Sequence, residues 1–271
     1  LEADTDGVYF AVPADFDESD ERRVVAEVAA LLPEHVHLEF DGRYAAMLSH
    51  EPKNYALKPY DGPVVLRGVA FRSRRAEPFG EAFLRSALEC LLDGDLLGVR
   101  RAYVDTVLAL RKRALPTLML TALSRLSKTK EQYLAVREHR REFVYEAMLG
   151  SARNDWNVGE LVRVYRARGG RPALFVPADH RDNEFNEVQL VDGTQPDEAM
   201  EPRDYDVEYY VRSLRDNFAS RLARAMEKEH FEAVFAEPRQ LMLFTGLLET
   251  ARPVLVRRSG LSGESDASAR S

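Results

Sequence analysis

Short runs of alternating apolar and polar residues mark the first part of the chain. Residues 8–12 and 36–40 each place an apolar side chain at every second position, and the intervening stretch Ser19–Leu32 is acidic and compatible with a helix. An alternation with a period of two predicts a strand with one buried face. The pattern therefore predicts a strand, a helix and a second strand, which ends at Asp41-Gly42.

A hairpin is predicted next. The runs from Lys53 to Leu57 and from Val64 to Val69 flank Asp61-Gly62, a pair that tolerates the positive φ angles of a tight turn. Together these strands predict a small, mostly antiparallel sheet with one helix in the first 80 residues.

From Phe79 onward the apolar positions recur with helical spacing. One stripe contains Leu84, Leu88, Leu91 and Leu92, a second contains Val99, Tyr103, Val107 and Leu110, and a third lies on Lys130–Met148, which also carries Arg140. Three helices are therefore predicted after the sheet.

A second hairpin is predicted beyond these helices. Leu161–Arg166 and Leu174–Val176 have strand character and flank Gly169-Gly170. The whole pattern predicts an α+β fold, with the sheet first and a mostly helical part with one β-hairpin afterwards.

The last regular element is predicted to be a long helix. Pro202 and Asp204 stand at its start, and apolar residues with helical spacing continue to Ala225. Residues 257–271 are rich in Ser, with Gly and Asp, and predict a disordered tail.

Composition limits the class of protein. The 271 residues are 45% apolar and 31% charged, without an apolar run near the roughly 20 residues that cross a bilayer. A single Cys, Cys90, excludes an internal disulfide and suits a reducing compartment. We expect a cytoplasmic globular chain with no membrane partner, associated with the nucleoid if the source is prokaryotic. Because Leu1 is not an initiator Met, we expect a fragment or a processed piece.

The charge is unevenly distributed. Residues 100–171 hold 16 Lys and Arg against 7 Asp and Glu, a net of +9, which leaves −16 for the rest of a chain whose net charge is −7. A basic segment between acidic flanks is typical of a face that binds a polyanion. A well-solvated helical surface has the same composition, so both interpretations stay open.

The chemistry that the sequence offers begins at Asp4-Thr5-Asp6-Gly7. Two aspartates one residue apart can both reach a divalent cation if the backbone turns there, which the glycine permits. Nucleotidyl transfer uses two Mg²⁺ ions held partly by such carboxylates. A second interpretation of these residues is a solvated turn. A third interpretation is the nucleophile loop of a haloacid-dehalogenase-type phosphatase, in which the first Asp attacks phosphate. That phosphatase requires alternating strands and helices in a parallel sheet, which the predicted order does not supply.

Several motifs in order resemble the C-terminal palm and the thumb of family B DNA polymerases. The palm motifs are Asp4-Thr5-Asp6, Leu38-Glu39-Phe40, Lys53-Asn54-Tyr55, Leu66-Arg67-Gly68-Val69 and Arg72-Ser73-Arg74. The thumb motifs are Leu123-Ser124-Arg125-Leu126-Ser127-Lys128 and Asp206-Val207-Glu208-Tyr209-Tyr210. The resemblance extends from Asp4 to about Phe244. It implies palm over residues 1–80 and thumb over residues 81–256.

The resemblance also implies roles for single residues. Asp4 and Asp6 would be catalytic metal ligands for Mg²⁺, Asp6 the firmer of the two, and Glu39 would lie near the metals unless it is a surface glutamate. Lys53 and Tyr55 would hold the primer end. Further DNA contacts are expected from Arg72 and Arg74, unless these only face solvent, and from Arg125, Lys128, Arg140 and Arg141.

The implied function is template-directed addition of deoxynucleotides to a primer 3′ end. Its partners would be primer-template DNA, deoxynucleoside triphosphates and the N-terminal remainder of the polymerase, which supplies a further Asp, the fingers and usually an exonuclease. The isolated chain is therefore expected to bind DNA without polymerising it. A DNA-binding subunit or remnant that has lost catalysis is the alternative.

Overall fold

The structure, a computed structural model, has an α+β fold. It describes residues 2–3, 7–13, 15–71, 73, 75–151, 153, 155–176, 203–237, 248 and 251–254. All strand pairs in these residues are antiparallel. The described part of the chain thus shows the mixed fold that the sequence predicts, and it shows none of the parallel pairing that the phosphatase interpretation requires.

Two small sheets and a two-stranded ribbon contain the strands. The ribbon is β1 (Glu2–Ala3) with β2 (Val8–Tyr9), the first sheet is β3 (Tyr44–Glu51), β4 (Asn54–Pro59) and β5 (Val65–Arg67), and the second is β6 (Ala122–Arg125), β7 (Leu161–Ala167) and β8 (Arg171–Phe175). Each sheet is an antiparallel meander in which the middle strand pairs with both neighbours.

Helices form the rest of the described fold. They are α1 (Glu18–Ala29), α2 (Pro78–Leu92), α3 (Leu96–Arg111), α4 (Lys130–Val136), α5 (Phe143–Leu149), α6 (Val207–Ser213) and α7 (Lys228–Val234). A π-helical turn over Leu214–Phe218 and a 3-10 helix over Ala219–Ala225 continue α6. In the described residues, none of these helices has the length and apolarity to cross a bilayer.

Two larger groups of buried side chains, and a small group of Met47, Tyr55 and Leu57 in the first sheet, hold these elements together. The first of the larger groups joins α2, α3, the α6 segment and α7 to Leu48 and Ala56 of the first sheet. Within it, Phe79 packs edge-on against both Tyr210 and Phe218, with ring centroids 5.6 Å apart in each pair. The second of the larger groups fills the space between the second sheet and α4 and α5, where Tyr145 and Trp156 are buried. The predicted boundary at residue 80 stays a prediction.

The strand predicted over residues 36–40 is wrong, and a strand that the sequence did not predict follows it. No strand includes residues 36–43, and β3 begins at Tyr44. Phe40 instead lies beneath Arg22 of α1, whose guanidinium carbon is 4.5 Å from the ring centroid. Val36 is exposed, and Leu38 and Phe40 are only half-buried. An alternating sequence does not make a strand without a backbone partner.

The single helix predicted over Lys130–Met148 is also wrong. The chain turns back between α4 and α5, so that Tyr133 stacks on Tyr145 with centroids 4.6 Å apart. The backbone N–H of Glu142 donates to the Tyr133 hydroxyl at 3.1 Å rather than to a helical carbonyl. A charged run over residues 137–142 carries the turn.

The other predicted elements agree with the structure apart from their bounds. The helix expected over Ser19–Leu32 is α1, the first hairpin is β4 with β5, and the second is β7 with β8, to which β6 adds a third strand. Strand character over residues 8–12 is confined to Val8–Tyr9. The last helix begins at Val207 because Asp206 caps it, accepting from the Tyr209 N–H at 3.0 Å. Pro202 and the predicted tail lie outside the described residues.

Gly68 gives the fold a testable constraint. Its φ is +83°, and a Cβ built there would overlap the Lys53 carbonyl oxygen and the Asn54 side chain. We expect Gly68→Ala to lower the free energy of unfolding by about 2 kcal/mol or more, measured by urea denaturation.

Gly62→Ala is the matched control. Its φ is +100°, but no atom lies within 4 Å of the added Cβ. We therefore expect a loss of only about 1 kcal/mol from backbone strain. Equal losses in the two variants would show that the close approach at Gly68 has no structural importance.

Candidate nucleic-acid interface

The turn between β3 and β4 presents Lys53. This residue is exposed and has a φ of +64°, while Tyr55, two residues later in β4, is buried. The Tyr55 hydroxyl lies 3.4 Å from that of Tyr9, which follows the Asp4-Asp6 segment on β2, and the ring centroids are 5.2 Å apart. Lys53 and Tyr55 therefore differ in exposure, although they belong to one predicted motif. Burial raises the pKa of Tyr9, so its hydroxyl stays neutral.

Asn54 connects this turn to the Leu66–Val69 motif. Its side-chain oxygen accepts from the Ala70 N–H at 2.8 Å, and its side-chain nitrogen donates to the Pro52 carbonyl at 3.0 Å. Gly68 allows the two backbone segments to approach this closely. The two motifs, separated by ten residues, thus form one local structure, in agreement with the hairpin that the sequence predicts.

The segment after Gly68 is anchored to the helices. The Ser73 N–H donates to Glu81 Oε1 of α2 at 2.7 Å, and Arg221 donates to the Ala70 carbonyl. The Leu123 N–H of β6 donates to the Arg75 carbonyl at 3.2 Å. The predicted DNA contacts Arg72 and Arg74 belong to this segment but lie outside the described residues.

A cleft of about 420 Å³ opens where this segment meets the second sheet. Its walls come from the start of α2, from β6, from the turn before α5, from β7 and from α6. The charged residues of the lining, with one of its aromatic residues, are Glu77, Arg140, Arg141, Glu142, Arg166 and Tyr209. The structure therefore brings Arg140 and Arg141, both predicted to contact DNA, to one concave surface.

The carboxylates in the cleft do not cancel its positive charge. Glu142 Oε1 is 2.8 Å from Lys128 Nζ and 3.8 Å from Arg140 Nε. Burial raises the pKa of Glu77, which disfavours its charged form. In the part of the chain that the structure describes, Arg141 is exposed and forms no ion pair, so the mouth of the cleft offers cations to an anionic ligand.

The turn that carries Arg140 and Arg141 is held by Glu146. Its carboxylate accepts from Arg137 through both oxygens, at 2.7 and 2.9 Å, and from the Tyr133 hydroxyl at 2.6 Å. These charge-assisted bonds fix both sides of the turn. They also stabilise the carboxylate, and the Arg137 guanidinium is the main cause that lowers the pKa of Glu146 to about 2.

The other predicted thumb residues have different surroundings. Arg125 is exposed on β6, whereas Lys128 is half-buried, with its ammonium 5.4 Å from the Tyr145 ring centroid. The Tyr145 hydroxyl accepts from the Lys128 N–H at 2.8 Å. Trp156 donates from Nε1 to the Lys128 carbonyl at 3.0 Å and is buried, which agrees with a packing role.

The metal-ligand prediction falls mostly outside the described residues. Asp4 and Asp6 are not described, and Glu39 is exposed in a segment without strand structure. Among the residues that are described, His, Cys, Asp and Glu form no group of three that could hold a metal ion. The assignment of Asp4, Asp6 and Glu39 therefore stays a prediction.

Comparison with known proteins shows a likeness of fold. No protein-family model matches the sequence, and no curated protein matches it significantly. Among solved structures, the chain is similar to the family B DNA polymerase from the hyperthermophilic archaeon Pyrobaculum calidifontis, with 18% identity and a TM-score of 0.53. The match covers 78% of this chain and 25% of that polymerase. The fold thus resembles a part, about a quarter, of a family B DNA polymerase.

The Glu146 contacts give a pH prediction. The pKa of Glu146 in the folded protein, about 2, lies below its ordinary value of 4.5. The stabilisation that the ionised Glu146 gives to the folded protein is therefore complete above about pH 4.5 and is lost as the pH falls toward 2. We expect Glu146→Gln to lower the free energy of unfolding at pH 7 by about 1 to 3 kcal/mol. The difference in the free energy of unfolding between wild type and this variant should shrink as the pH falls from 4.5 to 2, measured by urea denaturation.

Glu138→Gln serves as the control, because Glu138 is an exposed carboxylate in the same turn region with no partner in the described residues. It should change stability little at any pH. A Glu146→Gln effect that stays constant from pH 7 to pH 2.5 would contradict the charge-assisted network.

Proposed function

We propose that this chain is the C-terminal palm and thumb part of a family B DNA polymerase, and that it binds primer-template DNA during deoxynucleotide addition. The observation that carries the proposal is a cleft lined by the adjacent Arg140 and Arg141 on a fold similar to part of such an enzyme. Phosphate contacts by arginine supply most of the sequence-independent affinity for DNA. The protein would act without reading base sequence.

Local geometry supports a second contact at the primer. Lys53 is exposed at a turn whose backbone is fixed by Asn54 and Gly68. An ammonium at a rigid turn can reach one phosphate without adjusting the backbone. The buried Tyr55 ring supports the turn through its contact with Tyr9.

The proposed reaction uses Mg²⁺ held by Asp4 and Asp6. Two carboxylates match the oxygen ligands that Mg²⁺ prefers, and the ion would neutralise charge on the triphosphate. This chain's own residues would position the primer through Lys53 and bind duplex phosphates through Arg140 and Arg141. Arg125 at the end of β6 and Lys128 three residues beyond it would add further contacts. The remaining palm aspartate and the fingers would come from other parts of the polymerase.

Arg140 and Arg141 provide the test of DNA binding. We expect the wild-type chain to bind primer-template duplex with an affinity that falls steeply with salt, and the double reversal of both arginines to Glu to lower the salt slope by about two units. Fluorescence anisotropy titrations at several salt concentrations measure the slope.

Reversal of Arg212 and Lys228 to Glu is the matched control. Both residues are exposed and neither lines the cleft, so the charge change is equal but the site is untouched. Its slope should stay near that of wild type. Equal slopes for the two double variants, or no duplex affinity of the wild-type chain at low salt, would contradict the proposal.

Asp6→Asn tests the catalytic part of the proposal. In a full-length polymerase that carries this chain, we expect primer extension to fall by on the order of a hundredfold or more, because the metal neutralises the triphosphate less well. DNA affinity should change less than about twofold, since one carboxylate near the metals adds nothing to phosphate binding.

Asp61→Asn, an exposed aspartate in a turn, is the control and should extend primers normally. Normal extension by Asp6→Asn would rule out Asp6 as a metal ligand. If every version binds DNA but none extends a primer, the chain is a DNA-binding subunit without catalysis.

A further inference from the structure

The Arg166 side chain is held by two aromatic rings inside the cleft. Its guanidinium carbon is 4.5 Å from the Phe143 ring centroid and 4.5 Å from the Tyr209 ring centroid. Both distances lie within the range of a cation–π contact. The rings come from two different helices, α5 and α6, so the guanidinium is held in place without using its N–H donors.

Few of those donors have a protein partner. Arg166 Nη1 donates to the Gly170 carbonyl at 3.3 Å, and among the described residues the guanidinium forms no ion pair with a carboxylate. The side chain is only half-buried. A fixed cation with free donors at the wall of a cleft is suited to bind an oxyanion.

Two other arginines, the buried Arg100 and the half-buried Arg113, use their donors within the fold. Arg100 donates to the Val234 carbonyl at 2.8 Å and to the Glu237 carbonyl at 3.2 Å, and Arg113 donates to the Tyr205 carbonyl at 2.7 Å. Those guanidinium groups join segments of the fold. Arg166 has one long carbonyl contact, which indicates that its donors serve something other than the fold.

The cleft around Arg166 favours an anion. Arg140 and Arg141 line the same cleft, Glu142 is paired with Lys128 at 2.8 Å and with Arg140 at 3.8 Å, and burial of Glu77 disfavours its charged form. Three arginines therefore line a cleft of about 420 Å³, large enough for a phosphate with its sugar.

We propose that Arg166 forms a phosphate-binding subsite that takes one phosphodiester of a DNA strand, and that the neighbouring phosphates of the same strand lie against Arg140 and Arg141. The inference rests on the proposed function and adds to it a specific contact and a residue that the sequence motifs did not indicate. A strand phosphodiester is the ligand because the two other arginines are exposed at the mouth, where a continuous chain of phosphates can pass. The triphosphate of a free nucleotide presents the same kind of oxygens, and the experiment separates the two.

The experiment compares wild type with Arg166→Gln and Arg166→Lys. We expect Arg166→Gln to lower the salt slope of duplex binding by about one unit, and Arg166→Lys to keep the slope, because it keeps the charge. In wild type, replacing one phosphate of the duplex by a neutral methylphosphonate should cost about tenfold in affinity at the contacted position. Arg166→Gln should lose this sensitivity at that position and at no other.

Arg101→Gln is the control for charge, because Arg101 is exposed in the same basic segment but does not line the cleft. It should keep the methylphosphonate sensitivity. Thermal unfolding checks that each variant is folded. If Arg166→Gln does not fold, Arg166→Lys takes its place in the methylphosphonate scan, and we expect a weaker sensitivity than that of wild type at the contacted phosphate.

The outcomes separate this inference from the proposed function. If wild type binds duplex with a steep salt slope but the methylphosphonate profile is the same in every variant, the subsite is wrong and the proposed function stands. If wild type does not bind duplex at low salt, the proposed function fails first. Binding of deoxyadenosine triphosphate alone that is lost in Arg166→Gln would assign the site to a free nucleotide and overturn the strand assignment.

Discussion

The hydroxyl of Tyr210 is the contact on which the arrangement of the cleft depends. It donates to the Leu120 carbonyl at 2.8 Å and accepts from the Arg166 N–H at 2.9 Å. One buried group thereby joins α6 to the turn before β6 and to β7, and burial raises its pKa so that it stays a neutral donor. Without it, two buried backbone groups would lose their partner. Because Phe79 packs on the same ring, the second sheet is also fixed to α2.

Arginine has two distinct uses in this chain. Arg100 and Arg221 are largely buried and donate to backbone carbonyls of distant segments, and burial lowers the pKa of both. Such side chains lose hydration and regain hydrogen bonds within the protein. Arg140, Arg141 and Arg166 keep donors that face a cleft. The net charge of a segment therefore does not measure its capacity to bind a polyanion, which depends on the cations that the fold leaves available.

Much of the fold could be predicted from the sequence, because period-two and helical patterns reflect burial directly. The patterns failed where burial had another cause. Phe40 alternates like a strand residue but contacts α1 through Arg22. The apolar positions of Lys130–Met148 keep a helical spacing, yet the chain turns back there and stacks Tyr133 on Tyr145. Arg140 and Arg141 were indicated by charge alone. Arg166 was not, since its importance comes from Phe143 and Tyr209, which no spacing along the chain brings together.

The two candidate contact regions are linked by a short, anchored segment. It begins at Gly68, where the backbone meets the Lys53 turn, and ends at Glu77, which lines the cleft. Ser73, Ala70 and Arg75 of this segment hydrogen-bond to α2, to Arg221 and to β6 respectively. A strand held at the turn and in the cleft would therefore be positioned by two sites that share these attachments to the helices and the second sheet. Positioning of this kind affects the rate of a reaction more than the affinity, since a displacement of about 1 Å can cost on the order of a hundredfold in rate.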